Sequence, residues 1–207
     1  MKKFVNNWHV ISVYLAVAVA LAAAFIPSDT LLKLQLASIS LLLLHFYEEF
    51  GVPGGFAYMG VKVLLGKDER DKSKWNSNNL SSMYGNWLAL AAIYVLPVVI
   101  PSARFLVVGA MLFNFLEVFM HLLLFNVRMK SLYNPGLVSA VFGLGPVSCA
   151  YFALVFDRAM FVWYDYVLAF VWIVFIFWSA FRSPLYWSLG KKPGYDLSDS
   201  SAFGIYL

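Results

Sequence analysis

Six stretches of mostly apolar residues, near 9–26, 31–50, 83–100, 103–126, 136–156 and 160–182, decide what this chain can fold into. A bilayer core about 30 Å thick is crossed by about 20 helical residues, so each stretch suffices for one crossing. Hydrophobic residues make up 62% of the chain and charged residues 13%, far from the roughly 45–50% and 25% of soluble domains. The sequence therefore predicts an all-α, polytopic integral membrane bundle, with one transmembrane domain over 1–182 and a C-terminal tail over 183–207. The lone Cys149 excludes a disulfide framework and a cysteine zinc cluster. A net charge of +4 drawn from so few charged residues disfavours nucleic-acid binding.

The connections carry their own signals. Pro27-Ser28-Asp29-Thr30 makes a tight hairpin in which Pro27 stops one helix and Ser28 or Asp29 caps the next. Residues 67–82 are the longest polar run and form a solvated loop. Gly51 to Gly66, broken by glycine and too short to cross, reads as an interfacial or partly re-entrant helix. Six spans put both termini on one side, and twelve of the fifteen basic residues lie there, leaving Lys33, Arg104 and Arg158 opposite. The positive-inside rule then predicts a multi-pass cell-membrane protein with cytoplasmic termini. Lys2-Lys3, the first apolar run and Ala20-Leu21-Ala22 also fit a secretory signal, but a retained helix is the expectation. The Asn79-Leu80-Ser81 sequon falls in the loop predicted to be cytoplasmic and carries no weight.

Ionisable groups inside apolar spans cost about 2.5–3.5 kcal/mol each on insertion scales, and this chain clusters them. The second span ends in His45-Phe46-Tyr47-Glu48-Glu49, and the fourth contains Asn114-Phe115-Leu116-Glu117-Val118-Phe119-Met120-His121. Helical spacing puts His45 on one face with Glu48 or Glu49, and Asn114, Glu117 and His121 on another. Both groups lie roughly 20 Å below their helix starts, so the two faces share a depth in the cytoplasmic half of the membrane. Imidazole and carboxylate are ligands for zinc, and in helical bundles for iron or manganese. A divalent metal, zinc favoured, is expected on His45, Glu49, Glu117 and His121, with Glu48 as a further ligand or general base and Asn114 as an orienting amide. A bare His/Glu network that fixes packing or relays protons is the simpler alternative. Glu at the last position of His45-x-x-Glu48-Glu49 rules out the two-histidine zinc-protease boxes in this span.

These motifs, followed by Asn134-Pro135-Gly136, resemble the HXXEE-motif family of small integral membrane proteins, over roughly residues 30–175. The resemblance implies that the three motifs belong to one site, and it supplies no reaction. His9 offers a third imidazole, though beside Trp8 it reads more simply as interfacial. Asn134 is expected to cap a helix that starts at Pro135, and that start can also face an anionic group. Asp165 is expected to pair with Arg158, and the aromatic stripe of the sixth span to face lipid.

The leading expectation is a metal-dependent membrane hydrolase acting on a lipid or lipophilic small molecule. A proton- or cation-coupled transporter and a di-iron oxidoreductase are the alternatives. Cysteines introduced on a Cys149→Ser background test the topology. Lys74→Cys should be shielded from impermeant reagents in intact cells, and labelling from outside rejects the assignment.

Overall fold

Each apolar stretch becomes a helix long enough to cross a membrane. The structure, a computed structural model, describes residues 1–27 and 29–207, with the side chain of Asp157 outside that description. In chain order the helices are α1 (Trp8–Phe25), α2 (Thr30–Phe50), the short α3 (Phe56–Leu64), α4 (Asn79–Val99), α5 (Arg104–Met129), α6 (Leu137–Val155) and α7 (Trp163–Phe181). After a break at Arg182 and Ser183, α8 (Pro184–Gly190) continues the last span. Among the described residues there is no strand, so the all-α membrane bundle read from the sequence holds.

Capping sets the boundaries. Asp29 starts α2 by accepting from the Leu32 amide at 3.1 Å, whereas Ser28, the other expected cap, lies outside the described residues. α4 starts at Asn79, inside what the sequence assigned to the loop, because Asn78 and Ser81 form a reciprocal capping box. The sequon residue Asn79 is consequently buried, and its amide donates to the Asp196 carbonyl at 2.9 Å. That bond is one of several that fold the C-terminal residues 183–207 against the rest of the chain. Asn78 donates to the carbonyls of Leu189 and Lys192, Lys72 pairs with Asp199 at 2.6 Å, and the Gly55 amide donates to the Ser201 carbonyl. Phe203 packs among Tyr58 and Trp75, so the tail folds onto α3 and the 67–78 loop.

α1 belongs to the core, for Trp8 is fully buried against Phe46 and Phe50 of α2, and Ser40 donates to the Ala16 carbonyl. Deeper in the bundle, Asn114 ties four spans together. Its Oδ1 accepts from the Tyr94 hydroxyl at 2.7 Å, and its Nδ2 donates to Ser38 and Ser148, each at 2.9 Å. Asp165 pairs with Arg104 at 3.4 Å and accepts from the Val162 amide, instead of pairing with Arg158. The reason is packing: α5 begins at Arg104 against the start of α7, which brings that guanidinium within reach. Of the α7 aromatic stripe, Trp163, Phe170, Phe175 and Trp178 are exposed, but Trp172 turns inward and donates to the Ala92 carbonyl.

Asn114→Ala leaves the buried Tyr94, Ser38 and Ser148 hydroxyls short of a partner. It should cost about 1–3 kcal/mol, read as a lower thermal midpoint in detergent.

Candidate functional site

Reversed residue order builds the site. α2 reads His45 then Glu49, α5 reads Glu117 then His121, each pair four residues apart on one helix face. Alternating crossings run these two helices in the same direction, so each imidazole falls beside the other helix's carboxylate. His45 Nε2 lies 3.4 Å from Glu49 Oε1 and 3.7 Å from Glu117 Oε2, and His121 Nε2 lies 3.5 and 3.6 Å from the same two oxygens. One ligand atom each of His45, Glu117 and His121 lies within 4.8 Å of the others, so this trio could hold a metal ion. Glu49 bridges the two nitrogens from its own side. The imidazole rings meet edge to face at 4.8 Å, and α5 widens into a π-helical turn over Met120–Phe125, where His121 sits.

The far nitrogen of each ring is anchored. His121 Nδ1 stands 2.6 Å from Asn134 Oδ1, while Asn134 Nδ2 donates to the His121 carbonyl and to Asn126 Oδ1. With the amide so oriented, its oxygen must accept, and His121 carries its proton on Nδ1. His45 Nδ1 lies 2.9 Å from Ser139 Oγ, whose own proton goes to Glu48 Oε2 at 2.5 Å. Each Nε2 is thereby turned toward the two carboxylates, where the neutral ring presents a lone pair, and buried His121 Nε2 has no hydrogen-bond partner among the described residues.

Glu48 itself faces away from the imidazoles. Its two oxygens accept from the Tyr133 hydroxyl, the Val138 amide, and both the amide and hydroxyl of Ser139. A carboxylate on α2 thus caps the start of α6, where the helix dipole favours negative charge. Burial, and after it the Glu48 charge, push the Tyr133 phenol above its ordinary value, which keeps it a donor.

The Asn134-Pro135-Gly136 turn departs from the expected helix start. Helix α6 begins at Leu137, Gly136 occupies its N-cap with a φ of 101°, and the Asn134 side chain serves His121 instead. A Cβ at Gly136 would overlap the His121 ring and stand 2.8 Å from His45 Cε1. Only glycine lets this turn close over both imidazoles.

Of the other sequence candidates, Asn114 spends its amide on the four-span tie described above, and His9 packs edge-on against Trp8 with its Nδ1 unpartnered. The metal-capable trio found among the described residues does not include His9. Sequence reading missed Ser139, which no motif marks, and the lid role of Gly136, which the Asn-Pro-Gly turn chemistry does signal.

One side of the cluster opens into a cavity of about 820 Å³. His45, Glu49 and Glu117 lie in its wall, which is otherwise mainly aliphatic and aromatic.

A six-span helical membrane protein with a buried two-imidazole, two-carboxylate cluster beside an apolar cavity is the class that fold and site define. The chain belongs to the family described as proteins of unknown function with an HXXEE motif, whose model matches residues 36–152. That stretch contains every residue of the cluster and its anchors. No curated protein and no solved structure matches it significantly.

Removing an outer partner of a metal-binding histidine typically costs 10–100-fold in affinity. Asn134→Ala should lower divalent-metal affinity by about that factor, and Gly136→Ala, which displaces both rings, by at least as much. Titration against a competing chelator measures both.

Proposed function

We propose that the protein is a metal-dependent membrane hydrolase that cleaves an ester or amide-like bond of a lipophilic substrate, with its site in the cytoplasmic half of the bilayer. The supporting observation is the set of four separations of 3.4–3.7 Å between imidazole nitrogens and carboxylate oxygens. Charge-assisted N–H···O bonds would bring these atoms to about 2.7–2.9 Å. Tetrahedral ligands at 2.0–2.2 Å from a zinc ion stand about 3.3–3.6 Å apart, which is close to what is found. Charge supports the same reading. Two neutral imidazoles and two carboxylates total −2, and an unpaired buried ion costs several kcal/mol, on the order of 20 kcal/mol in the idealised limit. A divalent cation cancels that charge. Zinc suits the donor set best, and iron or manganese also accept it.

The two carboxylates differ in access. The spacing lets either carboxylate join the two imidazoles around an ion; we assign that place to Glu49, which is 4% exposed, and leave Glu117, which is 18% exposed, free in the cavity wall. His45, His121 and Glu49 would hold the divalent ion, which would make a nearby water a stronger acid and polarise a carbonyl. Glu117 takes a proton from the attacking water as its oxygen bonds to the carbonyl carbon. It then returns that proton to the departing alcohol or amine as the old bond breaks. Glu48 does not enter this chemistry. It acts through Ser139, which holds His45 in the productive tautomer.

Metal analysis and turnover on a lipid-ester panel test the assignment. His45→Ala/His121→Ala should lose the metal, Glu117→Gln should keep metal and lose turnover, and Glu49→Gln should lose both. Stoichiometric metal in the double-alanine variant overturns the site, and full turnover in Glu117→Gln overturns its role.

A further inference from the structure

The shape of the cavity follows from where α7 touches its neighbours. A Cβ on Gly109 of α5 would stand 3.9 Å from the Ala169 Cβ, so α5 and α7 approach closely there. Further along, a Cβ on Gly85 of α4 would lie 2.5 Å from the Phe181 ring and 2.8 Å from the Ala180 carbonyl, so the far end of α7 leans on α4. Between these crossings α7 diverges from α5, and the cavity fills the wedge. Leu112, Leu116 and Met120 line it from α5, and Phe170, Val174 and Trp178 from α7. The last three are also 65%, 51% and 52% exposed, on a helix long and apolar enough to cross the membrane. Side chains that face both the cavity and the surrounding hydrocarbon mark a lateral mouth.

The wall turns polar again where α7 ends. Arg182 lies there with Asn76 and Ser77 of the loop and Ser82 and Asn86 of α4. Its carbonyl accepts from the Trp187 indole, and its guanidinium forms no ion pair among the described residues. The cavity therefore has two chemically distinct poles joined by an apolar wall, one with paired carboxylates and one with an uncompensated guanidinium.

We propose that the cavity takes a single-chain lipid with an anionic headgroup, which enters sideways between α5 and α7, places its headgroup at Arg182 and presents its labile bond to Glu117. The placement of the labile bond rests on the hydrolase reading, whereas binding at Arg182 does not. Electrostatics orients the molecule, because an anionic head is repelled by Glu49 and Glu117 and gains charge-assisted bonds from a guanidinium. The volume falls inside the range of roughly 300–1,000 Å³ usual for one small-molecule ligand. A lipid with two chains would have to part α5 from α7 at the Gly109–Ala169 contact to bring both inside. Entry from the bilayer also needs no aqueous path for the acyl chain.

The test uses the full-length protein in neutral detergent and three probes that share a palmitoyl chain: lysophosphatidic acid, lysophosphatidylcholine and monoacylglycerol. The anionic lipid should bind at least about tenfold more tightly than the other two, a difference of about 1.4 kcal/mol. Arg182→Gln should erase that preference and Arg182→Lys should retain most of it. Val174→Trp, which narrows the mouth, should weaken all three. Equal affinities, or a preference that survives Arg182→Gln, overturn the headgroup assignment. Unchanged binding in Val174→Trp overturns the lateral entry. Glycerol 3-phosphate binding as tightly as the lysolipid overturns the lipid source in favour of a soluble anion. Metal content measured on the same samples separates the two readings: selective lipid binding without metal upholds this inference while removing the hydrolase, and metal without selective binding does the reverse.

Discussion

Two imidazole nitrogens and two carboxylate oxygens meet within 3.4–3.7 Å inside an apolar bundle, and His45, Glu117 and His121 among them could hold a metal ion. Much of the surrounding structure enforces that geometry. Each histidine is held at its far nitrogen, one by Asn134 and one by the Ser139–Glu48 pair. Asn134 comes from the turn between α5 and α6, Ser139 from the first turn of α6 and Glu48 from α2, so the turn that closes the site and the helix start that follows it also orient its rings. If the rings were free to turn, they could present N–H to the carboxylates and collapse into ordinary hydrogen bonds.

Polar side chains in the interior divide into two kinds of work. Asn114 engages its amide with three hydroxyl partners and fixes how α2, α4, α5 and α6 pack. In the His/Glu cluster, by contrast, buried His121 Nε2 has no hydrogen-bond partner among the described residues. A buried polar group that is fully partnered contributes specificity of packing, whereas one left short of partners in a closed, anchored setting points to a ligand. The same distinction separates adjacent Glu48 and Glu49. Pointing about 100° apart on one helix, they meet different neighbours, and one caps α6 while the other faces the imidazoles.

The cavity ties the cluster to the membrane. Its walls come from helices that cross closely at small residues, Gly109 against Ala169 and Gly85 against the end of α7, and diverge between. Small residues at helix crossings are how membrane bundles bring backbones together. Their placement at opposite ends of α7 leaves the wedge, and puts an apolar space next to the most polar point of the interior.

Hydropathy and spacing were enough to read the six spans, the shared depth of His45, Glu49, Glu117 and His121, and the family motif, because helical periodicity converts residue order directly into faces and levels. The sequence did not say that Glu48 would turn to α6, that Asn134 would serve His121 instead of its own helix, or that Arg104 would reach Asp165. Each of those depends on which helices become neighbours, and a polar side chain takes the nearest partner packing offers, which local order does not encode. The folded tail and the cavity were invisible for the same reason. Both are spaces and contacts between segments distant along the chain, and helix crossings decide them, not the apolar pattern of any one helix.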